Sequence, residues 1–194
     1  TRCSRDWSSD VCSSDLLMED FERPEPPLGG DEVETLVGFL EWQRATLEWK
    51  IGGLDAAGMR ATAAASAMTI GGIVKHMAMV EDNWFGRWLH GHERSEPWNS
   101  VDWDAEPDWE FTSAASDTPD DIIALWERSV SVSRRLLATA LEHGDVGQVA
   151  VRTYPDGTAP SIRWILVHMV EEYARHNGHI DLLREAYDGQ RSGE

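Results

Sequence analysis

Residues Ser161 to Glu185 read SIRWILVHMVEEYARHNGHIDLLRE, a stretch in which chemistry-bearing side chains interrupt an apolar helical face. At about 100° per residue, Ile162, Ile165, Met169, Ile180 and Leu183 share one narrow arc, and His176 falls in the middle of it. Glu172 and His179 sit on the flank of that arc and His168 slightly farther out. Arg163, Glu171, Asp181 and Glu185 fall opposite and are expected to be solvated. His168, Glu172 and His176 follow one another at i, i+4 and i+8, which makes them one row along the helix. A carboxylate turned inward without a partner is costly or changes its protonation state. A divalent cation supplies the missing partner, and neutral imidazole with carboxylate is a common donor set for zinc, iron or nickel.

A second segment, GGIVKHMAMVEDNWF at 71–85, repeats the pattern: His76 shares a face with Ile73, Met77, Val80 and Trp84. A lone inward histidine is most simply a core residue with a hydrogen-bond partner. Two helices that each turn histidine inward favour a shared metal instead. Residue types and spacing leave His76, His168, Glu172, His176 and His179 all open as ligands. Arg175 is expected to pair with Glu171 or another acid. Glu81 and Asp82 read as a solvated face, with Glu81 able alternatively to orient a ligand, and Asn83 lies near the His76 face. His90 and His92 fall in a loop. His143 falls at a helix C-terminus, where its charge suits the dipole.

Four amphipathic helices must position these residues. The first is predicted from Asp31 to Ile51, capped by Asp31 with Glu32 and Glu34 in the first turn, and stopped by Gly52-Gly53. The second runs from Thr69 to about Leu89, and a long Trp-rich loop over 90–117 carries Trp98, Trp103 and Trp109. A loop of that length is usually functional or packed by its own side chains, so it either walls the pocket or simply packs on the bundle. Thr118-Pro119-Asp120-Asp121 starts the third helix, which ends near His143-Gly144. Residues 145–160 hold the turn Tyr154-Pro155-Asp156-Gly157 and are expected to form a small hairpin. The fourth helix runs from Ser161 to just before Gly189. The fold class that follows is all-α, an up-down-type four-helix bundle over 31–189, with a lead-in at 17–30 and a tail at 190–194.

Of the 194 residues, 17 are basic and 35 acidic, a formal net charge of -18. That charge repels phosphate backbones and argues against nucleic acid as a partner. No apolar run is long enough to span a bilayer and no signal-peptide pattern is visible, so the expected location is cytoplasmic, without a membrane role. The stretch Asp6 to Leu16, DWSSDVCSSDL, matches a reading frame of a sequencing-library adapter. Residues 1–16 are therefore expected to be an assembly artefact without structure, the native protein beginning near Met18. Cys3 and Cys12 both lie there, so the remaining chain offers no cysteine nucleophile.

The segments MTIGGIVKHM at 68–77, EDNWF at 81–85 and RWILVHMVEEYARHNGHID at 163–181 resemble the DinB-like (YfiT-like) superfamily of metal-binding four-helix bundles, in particular an uncharacterised actinobacterial-type branch. The resemblance covers nearly the whole chain after residue 30. Many members pair a second-helix histidine with H-x3-H on the fourth helix; here Glu172 makes the motif E-x3-H. A similar His, Glu, His set occurs in the bundle domain of mycothiol-dependent maleylpyruvate isomerase. The resemblance implies His76, Glu172 and His176 as metal ligands, with His179 behind them and His168 in reserve. The isomerase's own reaction does not carry over, because its active site draws on a second domain.

Three protein ligands leave a coordination position open, the arrangement of a catalytic metal. Together with the resemblance this implies a metal-dependent transferase, zinc first with nickel or iron as alternatives. It would use a low-molecular-weight thiol of the mycothiol or bacillithiol type on a small-molecule electrophile. The alternatives are a non-catalytic metal- or small-molecule-binding stress or resistance protein, and a structural bundle whose buried His and Glu pair with one another. The sequence leaves the oligomeric state open, with a homodimer the form to look for.

Overall fold

The computed structural model describes residues 23–63 and 66–189; the adapter-like segment 1–16 and the tail 190–194 lie outside the described residues. Helix α1 spans Glu32–Ile51. Its start is a reciprocal cap: the Glu34 amide donates to the Asp31 carboxylate and the Asp31 amide to the Glu34 carboxylate, both at 2.9 Å. One short turn follows, α2 at Ala56–Met59, capped by Asp55. Helix α3 spans Ile70–Glu81, with Thr69 accepting from the Gly72 amide at 3.0 Å.

The second predicted helix is not uniform. At Asp82 its hydrogen bonding widens to a π-helical stretch over Asp82–Leu89, a form that favours functional sites. Glu81, at the junction, is fully buried rather than solvated. Its carboxylate accepts from Arg44 Nε (2.9 Å) and Nη2 (2.7 Å) and from the Tyr173 hydroxyl (2.7 Å). Tyr173 in turn accepts from Trp126 Nε1 at 2.9 Å. The expectation of a solvated Glu81 fails because its partner, Arg44, comes from a different helix.

The long loop carries a 3-10 turn at Trp98–Ser100, helix α4 at Trp109–Ser113 and a 3-10 turn at Ala114–Ser116. Its tryptophans pack the loop onto the bundle. Trp98 is fully buried, Trp103 Nε1 donates to the Trp98 carbonyl at 3.1 Å, and Lys75 Nζ lies 4.3 Å from the Trp109 ring centroid. Helix α5 spans Pro119–Glu142 with Thr118 as its cap and proline in the first turn. Helix α6 spans Ile162–Asp188, capped by Ser161 and ended by Gly189 at φ +74°, a conformation that glycine adopts without strain.

The expected small hairpin at 145–160 is reduced to its minimum, with the Ala150 amide donating to the Pro160 carbonyl (2.8 Å) and the Ile162 amide to the Gln148 carbonyl (2.9 Å). Among the described residues the segment holds one antiparallel bridge, Val149 with Ser161, and a turn closed by Tyr154 N to Thr158 O at 2.7 Å. The amides of Val151 and Arg152 donate instead to the carbonyls of Leu89 and Trp88, both at 3.1 Å. Beyond that pair the first arm leaves its partner and is held to the end of the π-helical stretch.

Helix α1 packs on α6, and α3 packs on α4, α5 and α6. The core between them includes Leu40, Leu47, Ile73, Met77, Ile122, Trp126, Ile165, Met169 and Ile180, all buried. Each fully buried side chain of this size contributes roughly 1.5–3 kcal/mol, so the four long helices stand on apolar burial. The chain is all-helical, as its patterning implies. No helix among the described residues is long and apolar enough to cross a membrane.

Candidate metal centre

Helix α3 supplies His76 and helix α6 supplies Glu172 and His176, one turn apart. One donor atom from each of the three lies within 4.8 Å of the others. His176 Nε2 stands 3.5 Å from Glu172 Oε2, close to the edge of about 3.4 Å that a tetrahedron with bonds near 2.1 Å would have. The His76 and His176 rings are 5.0 Å apart at 60°. His176 is 5% exposed, and the side chains of His76 and Glu172 are 17% and 13% exposed. The donors therefore converge in a mostly buried place with one side reachable from solvent. Two imidazoles and a carboxylate, with no protein cation among them, form a set that could hold a divalent ion.

The residue that sequence reasoning missed is Glu110. It lies on α4, is buried, and places Oε1 3.0 Å from His76 Nδ1. A histidine that donates through Nδ1 to a carboxylate keeps its Nε2 lone pair for a ligand, the usual outer arrangement around metal-bound histidine. Phe111 stacks on the other side of His76, centroids 4.8 Å apart at 21°. The long loop thus walls the site through Glu110 and Phe111 rather than through its tryptophans. The only sequence signal was an acid set between Trp109 and Phe111 in an irregular segment. Glu81, the alternative orienting residue, belongs to the Arg44 network instead.

His179 stands behind His176, the two Nδ1 atoms 3.4 Å apart. Burial, with His176 and Arg175 nearby, holds the His179 pKa below its ordinary value. A neutral ring there can share a proton with His176 and fix its orientation. His168 lies at the outer end of the row, with Nδ1 3.2 Å from Glu171 and Nε2 3.6 Å from Glu172. Its ring is 4.9 Å from both Trp84 and Trp164. His168, Glu171 and Glu172 form a second close group. Its Glu171 side chain is 56% exposed and ion-paired with Arg175, which makes it a solvated cluster.

Glu172 is held below the ordinary glutamate pKa. The hydrogen bond from His176 outweighs the opposing effect of burial, and Arg175 and His168 add to it. The carboxylate is therefore ionised, as a ligand requires. Arg175 Nη2 lies 3.2 Å from Glu172 Oε1, which leaves Oε2 toward His176. Asn83 accepts a long hydrogen bond from Arg87 (3.4 Å), His90 Nε2 meets the Leu136 carbonyl (2.9 Å), and His143 Nδ1 meets the Thr139 carbonyl (3.2 Å). None of the three takes part in the cluster.

A comparison with curated proteins finds no match. The family model for the mycothiol-S-transferases, which are DinB-like proteins, matches residues 35–189. That span takes in every donor of the cluster as well as Glu110, and on that match the chain belongs to the mycothiol-S-transferase family.

Proposed function

We propose that His76, Glu172 and His176 bind a divalent metal ion, zinc first with nickel or iron as alternatives. On this reading the protein is a metal-dependent transferase that moves the sulfur of mycothiol onto a small electrophile. The observation that carries it is the convergence of three donors from two helices within 4.8 Å, in a chain of the mycothiol-S-transferase family. When bound, such an ion supplies the Lewis acidity that favours a thiolate over a thiol at neutral pH.

The chain's own residues do the rest. His76 and His176 present ring nitrogens, and Glu172 brings one negative charge. Glu110 fixes the tautomer of His76, and Phe111 shields that ring from water. The sequence from residue 17 onward has no cysteine, so the transferred sulfur comes from the cosubstrate. In the reaction the thiol loses its proton and a C–S bond forms at the electrophilic carbon. With a haloalkane the halide departs with its electron pair; with an epoxide the ring C–O bond breaks and the oxygen takes up the proton; with an enone the carbon adjacent to the carbonyl takes it up. Mycothiol is favoured over bacillithiol by the family match, and a reduced thiol pool goes with a cytoplasmic location.

Two measurements test this. Protein purified without a metal-binding tag is expected to carry one divalent ion per chain, and His176→Ala to carry none. Metal-loaded protein is expected to turn over mycothiol with haloalkane, epoxide or enone acceptors. Metal-loaded protein that shows no turnover with any of them removes the transferase reading and leaves a binding protein. Protein that takes up no metal removes the site.

A further inference from the structure

We propose that Arg87, Arg94 and Arg152 together bind a carboxylate of the acceptor, so that anionic electrophiles are the preferred substrates. This rests on the transferase reading for its chemistry, though not for the binding itself. Two remote stretches of chain, 86–94 and the one that carries Arg152, are tied to one place. Arg87 lies on the π-helical stretch. The backbone amide of Arg152 donates to the Trp88 carbonyl, and that of His92, two residues before Arg94, donates to the Gly86 carbonyl, both at 3.1 Å. The Arg94 guanidinium lies 4.7 Å from the Trp103 centroid, and its Nη1 is buried without a hydrogen-bond partner. Among the described residues the Arg87 guanidinium makes one hydrogen bond, to the Asn83 side-chain carbonyl at 3.4 Å.

None of the three makes an ion pair among the described residues, although acids outnumber bases 35 to 17 in the chain. Asp82, Glu93 and Glu110 lie near enough to act on Arg87 and Arg94, yet none of them closes to an ion pair. Burial and the other two arginines each weaken the charged form of Arg87, and Asp82 and Glu93 offset only part of this. Arg94 is weakened likewise by burial and by Arg152, against Asp82 and Glu110. An entering anion relieves that repulsion and satisfies the idle donors.

The same stretch of chain leads toward the candidate centre through aromatic rings. Trp88 stacks on Trp84 at 5.6 Å, Trp84 meets His168 at 4.9 Å, and His168 Nε2 is 3.6 Å from Glu172. An aromatic row therefore leads from Trp88, the neighbour of Arg87 in the chain, to the candidate centre, and Tyr154 flanks its far end, 4.5 Å from Trp88. The anion belongs to the acceptor because mycothiol carries none: its cysteine carboxyl is tied up as an amide to the amino sugar, and it has no phosphate.

The test uses the full, metal-loaded chain with 4-(chloromethyl)benzoate and its methyl ester as acceptors. The charge lies remote from the reacting carbon, and chloride leaves with the electron pair in both. The unreactive 4-methylbenzoate and its methyl ester report binding alone, through quenching of tryptophan fluorescence. The acid is expected to show a KM and a Kd at least about tenfold below those of the ester, a gap that narrows as salt rises. In the Arg87→Gln/Arg152→Gln double variant the gap is expected to close to within about threefold, with Arg→Lys at both positions keeping part of it.

Equal binding of acid and ester by the wild-type protein overturns the proposal, as does a preference that survives the double variant. The wild-type comparison and its salt dependence decide the matter even if the variant fails to fold. If the acid binds selectively but neither acceptor is turned over, the transferase reading falls and the anion site stands. If both are turned over without preference, the anion site falls and the transferase reading stands.

Discussion

Glu110 separates orientation from ligation. It touches His76 at 3.0 Å yet is not one of the converging donors, so removing it tests the support and not the ligand set. Glu110→Ala is expected to lower metal affinity by about 10- to 100-fold while stoichiometric loading at saturating metal persists; competition with a chromophoric chelator measures this. Glu172→Ala, by contrast, is expected to lose stoichiometric metal altogether, and His168→Ala to keep it, both read by elemental analysis of the purified variant. The inward row of His168, Glu172 and His176 was legible because helical period alone turns it toward the core. Choosing among its members was not, because all lie within one row. Glu110 stayed hidden because its loop has no period and its partner is 34 residues away.

The elements whose ends carry local chemistry were legible in the sequence. Asp31, Thr118 and Ser161 cap helices α1, α5 and α6 as their types demand. Thr118→Ala is expected to cost about 1 kcal/mol in urea unfolding. What joins the elements was not legible. The Arg44–Glu81–Tyr173 network ties α1, α3 and α6 through contacts that span up to 92 residues, and from sequence Glu81 was merely an acid beside another acid. Burial weakens the charged form of Arg44, but Glu81 more than compensates and raises its pKa. Burial and Glu81 together push Tyr173 well above its ordinary value. Glu81→Ala leaves the buried Arg44 guanidinium with Glu41 alone and is expected to cost about 3 kcal/mol, several times the loss of a cap. The π-helical stretch was equally unreadable, since Trp84 and Trp88 satisfy an ordinary i, i+4 pattern just as well.

At the scale of the whole molecule, metal and pH act on stability in predictable directions. A ligand that binds only the folded chain stabilises it by about 2.7 kcal/mol at a hundred times its Kd. Zinc is therefore expected to raise the thermal midpoint of the wild-type protein and not that of His176→Ala. Glu41 sets part of the acid limb. Burial pushes its pKa up, but Arg134 and Arg44 outweigh burial and hold it below its ordinary value of 4.5. Its contribution is thus complete above that value and is lost as pH falls through the lower folded value. Glu41→Gln is expected to flatten the decline in thermal midpoint below pH 4.5, as calorimetry across that range would record. The candidate centre has a consequence of another kind. Its donors are nitrogen and oxygen only, and the described residues contain no cysteine. A reagent that alkylates sulfur would meet the cosubstrate there and not the catalyst. If the proposed transfer is its reaction, the protein is not consumed by the electrophile, and its working life is limited by the supply of thiol.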